Sequence, residues 1–415
     1  MTRFRLPEKK SQWYDLRGEV YKLRSGDVDW AHGAFFNHWP DPSRNIWPQA
    51  MVISDIFFSD QWLGKYNVES TNVILKELED MVFDILGAPE GGFVSLTNGG
   101  TESISLAVKT ARDWARAERP NVKNPKIVAP YSAHPAFNKA AHFFGLEVVR
   151  VPLTDDWRTD VKAMDAAIDD DTIFIVGSAP CWPHGRVDPI EEIGELAEKH
   201  GLWLHVDACV GGFLLPFYEQ IGEKLPTWDF RVPAVMSMSA DLHKFGFTPV
   251  GMSSVAFRDE ALRKHLVFEF SDWPTGPYAT ESLLGTRAAR NAAACWATMK
   301  YLGRQGYLEI AQSMRDTTDR FVKGLEGIGD LTVLSEQAGL LVITSPTLDI
   351  FAVSKALNQD GLAHGVIRQP PGLHFTITPL EDRGPLDLML EGIAKAVDDA
   401  KSGRVVADDT AGSYM

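Results

Sequence analysis

The sequence has few cysteines and no excess of basic charge. Its 415 residues include three cysteines, Cys181, Cys209 and Cys295, with no CxxC pair and no spacing typical of metal ligands. This pattern argues against a disulfide scaffold or a structural zinc site and favours a reducing compartment. The net charge of −15 would repel a phosphate backbone, so we expect no nucleic-acid partner.

Long uncharged apolar runs are also missing. The N-terminal stretch MTRFRLPEKKSQWYDLRGEV lacks the apolar core of a signal peptide. The most apolar window, LWLHVDACVGGFLLPF, carries His205 and Asp207 and falls short of the roughly 18 uncharged residues of a membrane span. We therefore expect no membrane span and a cytoplasmic protein.

Changes in composition divide the chain into four predicted segments. Residues 1–60 are aromatic, with interspersed glycine and proline, and we expect an irregular segment that packs on another surface, such as a partner subunit. Residues 61–305 form a large domain, and residues 306–402 form a smaller α+β domain. Residues 403–415 have little to pack and are expected to be a flexible tail.

From residue 91 onward, apolar strands alternate with amphipathic helices. The segments KIVAPY, LEVVRVPL, TIFIVGSAP, LWLHVDA and AVMSMSA are typical of buried strands. The alternation predicts an α/β fold with a mainly parallel sheet covered by helices on both faces. Ligands of such sheets bind at the carboxyl ends of the strands. The polar residues expected there are Thr101, His134, His184, Asp207 and Lys244.

One glycine turn has the features of a phosphate site. In TNGGTES, residues 97–103, Gly99 and Gly100 permit a tight turn and Thr101 opens the next helix. Free backbone N–H groups at a helix start, with a hydroxyl beside them, bind phosphate groups. The alternative is an ordinary helix start with no ligand.

Two charged residues lie in apolar surroundings. Asp207 ends the strand in HVDACVGGF, and Lys244 follows the apolar run AVMSMSA in the segment SADLHKFGFTPVG. Burying either charge costs free energy unless it meets a partner. Asp207 could instead cap a neighbouring loop, and Lys244 could extend its amine to solvent.

Together, these features occur in the chain order that pyridoxal 5′-phosphate requires. Lys244 would form a Schiff base with the aldehyde of the cofactor. Asp207 would hold the ring nitrogen protonated, and the helix start at Thr101 would bind the phosphate. The flat imidazole of His134 can stack on the ring.

The segments GGTES, SAHPAF, GSAPCWPHG, DPIEEI, HVDACVGGFLLPF, DFRVPAVMSMSADLHKFGF and DWPTGPYA resemble bacterial sphingosine-1-phosphate lyases. Those enzymes belong to the fold type I, decarboxylase-like group of pyridoxal-phosphate enzymes. The resemblance implies a mainly parallel, seven-stranded type of sheet with helices on both faces and a smaller α+β C-terminal domain. It also implies a homodimer whose active sites use both subunits.

The resemblance further implies roles for single residues around the cofactor ring. Lys244 is the imine lysine, Asp207 faces the pyridine nitrogen, and His134 stacks on the ring. His184 lies near the phenolic oxygen. Gly285 belongs to the segment LLGTR, which matches a lyase segment that reaches the active site of the partner subunit.

For the cofactor phosphate, the resemblance implies a separate set of residues. Gly100 and Thr101 contribute from the glycine turn, and Ser239 and His243 from the segment that precedes the imine lysine.

The sequence departs from the lyases at candidate substrate positions. The stretch KYNVEST, residues 65–71, stands where the lyases have Asn-Pro-Leu-His-Pro, and it supplies Asn67 and Glu69. Val250 replaces a second lysine six residues after the imine lysine. Both changes weaken the case for a phosphorylated substrate. Arg368 could pair with a substrate carboxylate or form a surface salt bridge.

The predicted reaction is carbon–carbon cleavage of a β-hydroxy amine or β-hydroxy amino acid, by a retro-aldol step through an external aldimine. The base that takes the hydroxyl proton is His134, Lys244 or a tyrosine such as Tyr278. A second hypothesis is α-decarboxylation of an amino acid, and a third is transamination. A fourth is a cofactor-free relative that acts as a binding protein, and the intact Lys244, Asp207 and Thr101 argue against it.

Overall fold

The computed structural model describes residues 10–25, 27, 35, 39–43, 45–63, 68–380 and 384–407. The helices in these residues are α1 Trp13–Arg24, α2 Ile46–Ile56, α3 Glu69–Ile85, α4 Gly100–Glu118, α5 Ala136–Phe144, α6 Val161–Ala167, α7 Ile190–His200, α8 Leu215–Gln220, α9 Arg263–Leu266, α10 Ala289–Glu326, α11 Ile350–Gln359 and α12 Gly384–Lys401. The strands are β1 Gln61–Trp62, β2 Phe93–Thr97, β3 Lys126–Pro130, β4 Glu147–Val151, β5 Thr172–Ser178, β6 Trp203–Asp207, β7 Val235–Ala240, β8 Ser253–Phe257, β9 Phe268–Phe270, β10 Tyr278–Thr280, β11 Arg287–Ala288, β12 Thr332–Ser335, β13 Leu340–Thr344, β14 Gly365–Arg368 and β15 Pro371–Thr376.

A seven-stranded sheet with the order β2-β8-β7-β6-β5-β3-β4 forms the centre of the large domain. The pairs from β7 to β4 are parallel, and β8 is antiparallel to both β7 and β2. Strands β5 and β6 are buried along their whole length, as their continuous apolar sequences predict. The expected mainly parallel sheet is therefore present.

Helices cover both faces of this sheet. Successive residues of β5 point to opposite faces, so Ile175 joins a core with α3, α7, α8 and α10, whereas Phe174 joins a core with α4, α5 and α9. The two cores fix the strands, and they leave the loops at the carboxyl ends free to carry polar residues.

The smaller domain is built on a four-stranded antiparallel sheet with the order β12-β13-β15-β14. Helices α11 and α12 pack on it around Leu373 and Phe375. Helix α10 connects the domains, since Met314 belongs to the large core and Phe321 to the small one. Helix α10 is kinked at Gly303.

The expectation of an irregular segment over residues 1–60 was wrong in part, because α1 and α2 are helical. Pro48 lies in the first turn of α2, where its missing N–H is harmless. Ile46 and Ala50 of α2 are buried, and the helix packs along α10. Tertiary contact therefore decides the structure of this segment. The predicted tail 403–415 lies partly outside the described residues.

Among the described helices, none combines the length and the apolar character that crossing a bilayer requires. All three cysteines are buried and free.

Candidate active site

A cavity of about 610 Å³ lies at the carboxyl ends of the central strands, within the size range of small-molecule sites. Loops after β2, β3, β5, β6 and β7 form its walls. The predicted site residues on its lining are Gly100, Thr101, His134, Asp207, His243, Lys244 and Val250. The sheet therefore brings together residues that are more than 140 positions apart in the chain.

The glycine turn starts α4 at the cavity wall. The first N–H groups of a helix have no partner within it, so the start at Gly100 and Thr101 offers donors to an anion. A Cβ at Gly100 would lie 2.8 Å from both carboxylate oxygens of Asp241 and 2.9 Å from Cys209 Sγ. Only glycine fits at this contact.

Lys244 is held by a buried carboxylate three residues before it. Its Nζ donates to Asp241 Oδ2 at 3.0 Å, and the Ser253 hydroxyl donates to the other oxygen of Asp241. Burial disfavours the ammonium, but the charges of Asp241 and Asp207 outweigh burial and raise the pKa of Lys244. Burial likewise opposes the charged Asp241, but the Lys244 charge holds the pKa of that carboxyl below its usual range.

The loop that carries Lys244 is fixed by side chains from distant elements. Trp47 Nε1 of α2 donates to the carbonyl of Phe247 at 2.7 Å, and the Tyr307 hydroxyl of α10 donates to the carbonyl of Gly246 at 2.9 Å. The ring centroid of Trp39 lies 5.9 Å from Lys244 Nζ, within range of a cation–π contact. These contacts orient the lysine towards the cavity.

Asp207 ends β6 and accepts two hydrogen bonds at Oδ1. The donors are the backbone N–H of Cys209 at 3.1 Å and the Ser239 hydroxyl at 3.3 Å. Beneath it, His205 Nε2 lies 3.2 Å from the same hydroxyl, and burial lowers the pKa of His205 to about 4. A neutral imidazole therefore supports the Ser239–Asp207 pair from below.

His134 follows β3 and lines the cavity as a neutral ring. The backbone N–H of Ala136 donates to Nδ1 at 3.1 Å, which places the remaining proton on Nε2. Burial lowers the pKa of His134, and the opposing effect of Asp207 is smaller. The ring can therefore stack or donate a hydrogen bond, but it is poorly suited to accept a proton.

His184 and Ser239 lie behind the cavity wall. Ser239 is fully buried and does not line the cavity; its hydroxyl contacts Asp207. His184 Nε2 donates to the carbonyl of Gln369 at 2.7 Å, and its ring stacks on Trp157 at 4.9 Å. Their predicted places at the cofactor phosphate and the phenolic oxygen stay predictions.

The other candidate residues are spread around the chain. Tyr278 lies in the β9–β10 hairpin and contacts Phe268 and Trp273, and Gly285 follows the cavity residues Leu283 and Leu284. Neither lines the cavity within the described part of the chain.

Three of the candidate substrate residues can be placed relative to the cavity. Val250 lies on the lining and is 79% exposed. Glu69 begins α3 and Arg368 ends β14; both are exposed and off the described lining. Asn67 lies outside the described residues.

The sequence analysis did not single out four residues that lie at or near the cavity. Asp241 follows an apolar strand just as Asp207 does, and the same argument would have found it. The Glu102 carboxylate accepts hydrogen bonds from the backbone N–H groups of Asn98 and Leu283 at 2.9 and 3.0 Å. These bonds join the glycine turn to the loop that contains Leu283. Trp39 and Trp182 gave no signal, since loop tryptophans usually serve packing.

The arrangement fits pyridoxal 5′-phosphate. The turn at Gly100 admits no side chain and offers helix N–H groups to a phosphate. A lysine and a carboxylate, Lys244 and Asp207, line the same cavity, as a cofactor with an aldehyde and a basic ring nitrogen requires.

Comparison with known proteins gives concordant matches. The conserved-domain model of pyridoxal-dependent decarboxylases matches residues 68–343. Sphingosine-1-phosphate lyase of Arabidopsis thaliana is 38% identical over 332 residues, which cover 79% of this chain and 61% of that protein. A probable L-tyrosine/L-aspartate decarboxylase of Methanothermobacter thermautotrophicus is 32% identical, over 77% of this chain and 86% of that protein.

Among solved structures, the sphingosine-1-phosphate lyase of Burkholderia pseudomallei superposes with a TM-score of 0.91 and 31% identity, covering 97% of this chain and 94% of that one. The chain spans about three fifths of the length of the Arabidopsis lyase. These matches confirm the predicted resemblance and the predicted fold class.

Proposed function

Because the chain belongs to the pyridoxal-dependent decarboxylase family, we propose that it is a pyridoxal 5′-phosphate-dependent carbon–carbon lyase. Its substrate is a β-hydroxy amine or a β-hydroxy amino acid, which it cleaves to an aldehyde and a shorter amine. The observation that carries the proposal is the shared cavity of Lys244, Asp207 and the glycine turn at Gly100. The similarity to sphingosine-1-phosphate lyases, which extends over nearly the whole length of the Burkholderia protein, favours a lyase over a decarboxylase.

Each of the cavity residues would contact a different part of the cofactor. Lys244 would hold the aldehyde, Asp207 the ring nitrogen, and the α4 start the phosphate. When bound, the cofactor supplies an electron-accepting ring next to the bond that breaks. His134, neutral and protonated at Nε2, orients a bound group by stacking or by donating a hydrogen bond.

Lys244 Nζ is the strongest candidate for the base among the described cavity residues. When the substrate amine takes its place at the aldehyde, the freed amine of Lys244 would accept the proton of the substrate hydroxyl. That proton would pass to the carbon left behind when the carbon–carbon bond breaks to give a carbonyl. Asp241, at 3.0 Å, stabilises the ammonium that results. His134 is a weaker candidate, because Nδ1 already accepts from the Ala136 backbone N–H and the proton of the neutral ring is on Nε2.

The direct test is product analysis. The purified protein, loaded with pyridoxal 5′-phosphate, is incubated with β-hydroxy amines in phosphorylated and unphosphorylated forms, and aldehydes are trapped with a hydrazine reagent. We expect aldehyde from at least one amine and none with Lys244→Ala. Absence of aldehyde from every amine tested would refute the lyase proposal.

A parallel incubation with L-tyrosine and L-aspartate addresses the decarboxylase hypothesis. That hypothesis is favoured by the coverage of 86% of the Methanothermobacter protein. Release of carbon dioxide from either amino acid, without aldehyde from the amines, would replace the lyase proposal with it. Deuterium uptake at the α-carbon in heavy water identifies the same outcome independently.

We also propose that the protein acts as a homodimer with shared active sites. Helix α1 has no buried residue, and Trp13 is 86% exposed; Met51 and Ile56 of α2 are exposed as well. Apolar helix faces of this kind are typical of subunit interfaces. Sedimentation should give twice the chain mass of 46.0 kDa, and a monomer that retains full activity would contradict shared sites.

The three free, buried cysteines support a reducing compartment. We propose the cytoplasm as the location, and fractionation of the source cells tests it.

A further inference from the structure

The loop that follows β5, residues 179–186, forms one wall of the active-site cavity. Pro180 and Trp182 of this loop line the cavity. The loop belongs to the large domain, but His374 of β15 in the small domain holds it: its Nε2 donates to the carbonyl of Trp182 at 2.9 Å. The two rings also contact each other, with centroids 4.5 Å apart.

Two further hydrogen bonds attach the same loop to the small domain. His184 Nε2 donates to the carbonyl of Gln369 at 2.7 Å, and Arg186 Nη2 donates to the carbonyl of Leu334 at 2.8 Å. These three hydrogen bonds attach the cavity wall to the small domain, and among them the bond from His374 is the one made to a lining residue, Trp182.

The environment of His374 suggests more than a packing role. Its ring is almost fully buried, and burial lowers its pKa to about 4, so the ring is neutral. With Nε2 donating to Trp182, Nδ1 carries no proton in the neutral ring. The Nε2 donor satisfies the carbonyl of Trp182, and an apolar residue of similar size would remove that donor.

From Trp182 the contacts continue to the lysine. Its ring centroid lies 6.1 Å from that of Trp39, and Trp39 lies 5.9 Å from Lys244 Nζ. Trp39 therefore contacts both Trp182 and the amine that would hold the cofactor. A displacement of Trp182 would therefore change the shape of the cavity next to the reacting group.

We propose that His374 is a positioning residue that fixes Trp182, so that the small domain determines which substrate side chains the cavity accepts. The inference rests on the proposed function only in that the ligand is an amine bound at Lys244. It requires no particular bond to be broken.

The experiment measures amine binding rather than turnover. The protein is loaded with pyridoxal 5′-phosphate, and the visible absorbance of the bound cofactor is followed as amine is added. The two probes are 2-aminoethanol, which has no side chain, and 1-aminooctan-2-ol, which carries an apolar one. The variants are His374→Leu, which removes the donor, and His374→Gln, whose amide reaches about as far as Nε2.

The matched control is His364→Leu. His364 is also buried in the small domain and hydrogen-bonded, with Ser354 at 2.9 Å, but it does not touch the cavity wall. Thermal unfolding of each variant separates a general loss of folding from a change at the wall.

We expect His374→Leu to raise the Kd of 1-aminooctan-2-ol by about fivefold, the worth of one hydrogen bond, with the Kd of 2-aminoethanol within about twofold of the parent. His374→Gln should restore the parent value, and His364→Leu should change neither Kd. In a Trp182→Ala background, His374→Leu should have no further effect, since coupled residues are not additive.

Equal shifts for both amines, no shift for either, no recovery in His374→Gln, or the same shift in His364→Leu would each overturn the inference. Failure of the proposed function gives a different result: no aldehyde forms from any β-hydroxy amine, while the Kd of 1-aminooctan-2-ol still depends on His374.

Discussion

The pairing of Lys244 with Asp241 makes a quantitative prediction about the substitution Asp241→Asn. The two groups lie 3.0 Å apart, and Asp241 is almost fully buried. Across an effective dielectric constant of about 20, two unit charges at this distance interact by about 5 kcal/mol. This corresponds to an upper limit of about 4 pKa units on Lys244.

The expected change is smaller than this limit. An asparagine still offers an oxygen that can accept a hydrogen bond, and the charge of Asp207 remains. Loss of a single opposite charge at contact typically lowers a lysine pKa by roughly 1–3 units. We therefore expect the pKa of Lys244 to fall by about 2 units in Asp241→Asn.

The assay is the rate at which the cofactor-free protein is loaded with pyridoxal 5′-phosphate, followed by visible absorbance from pH 6 to pH 10. Only the neutral amine attacks the aldehyde, so the pH profile of loading should move to lower pH by about 2 units. Asp113→Asn is the matched control, because Asp113 also pairs with a lysine, Lys109, at 3.2 Å and does not line the cavity. An unchanged or upward-shifted profile in Asp241→Asn would refute the electrostatic role of this carboxylate.

Three other predictions follow from the same geometry. Gly100→Ala should weaken the binding of pyridoxal 5′-phosphate by at least about fivefold, since overpacking costs about 1–3 kcal/mol. Gly99→Ala, whose added Cβ meets a single atom at 3.9 Å, should not, and equal affinities of the two variants would contradict the close contact. Asp207→Asn should retain some cofactor but lose most turnover, and a rate equal to that of the parent would count against its place at the ring nitrogen. Burial lowers the pKa of His364 to about 4 in the folded chain, so the unfolded chain binds this proton at higher pH and stability falls as the pH drops from about 6.5 to about 4. Measured by urea unfolding, the loss of unfolding free energy over this pH range should be about 3 kcal/mol smaller in His364→Gln than in the parent. An equal dependence of the unfolding free energy on pH in the two proteins would exclude the effect.

The sequence was a good guide to the central sheet because its strands are buried on both faces. A strand such as β5 must be apolar at every position, and TIFIVGS satisfies this without reference to any other part of the chain. The hairpin β9–β10, whose first strand is exposed throughout, carries no such pattern. Helix α2 depends on its contact with α10, which local propensity does not encode.

The candidate site likewise contains residues that the sequence indicates and residues that it does not. Lys244 and Asp207 could be singled out in the sequence because a charged residue in apolar surroundings needs a partner. The partner of Lys244 could not be predicted, because Asp241 reaches it only through the conformation of the turn between them. The contributions of Trp47 and His374 depend on hydrogen bonds across 200 and 192 positions of the chain, which no local pattern reveals.

The hydrogen bond from Trp47 to the lysine loop has a consequence for how much of the chain forms the functional unit. The family match begins at residue 68 and ends at residue 343, so Trp39 and Trp47 precede it and His374 follows it. A chain shortened to the matched residues would keep Lys244 and yet lose the indole bound to the carbonyl of Phe247. The matched segment therefore contains the lysine itself, whereas part of the scaffold that positions its loop comes from residues before the segment.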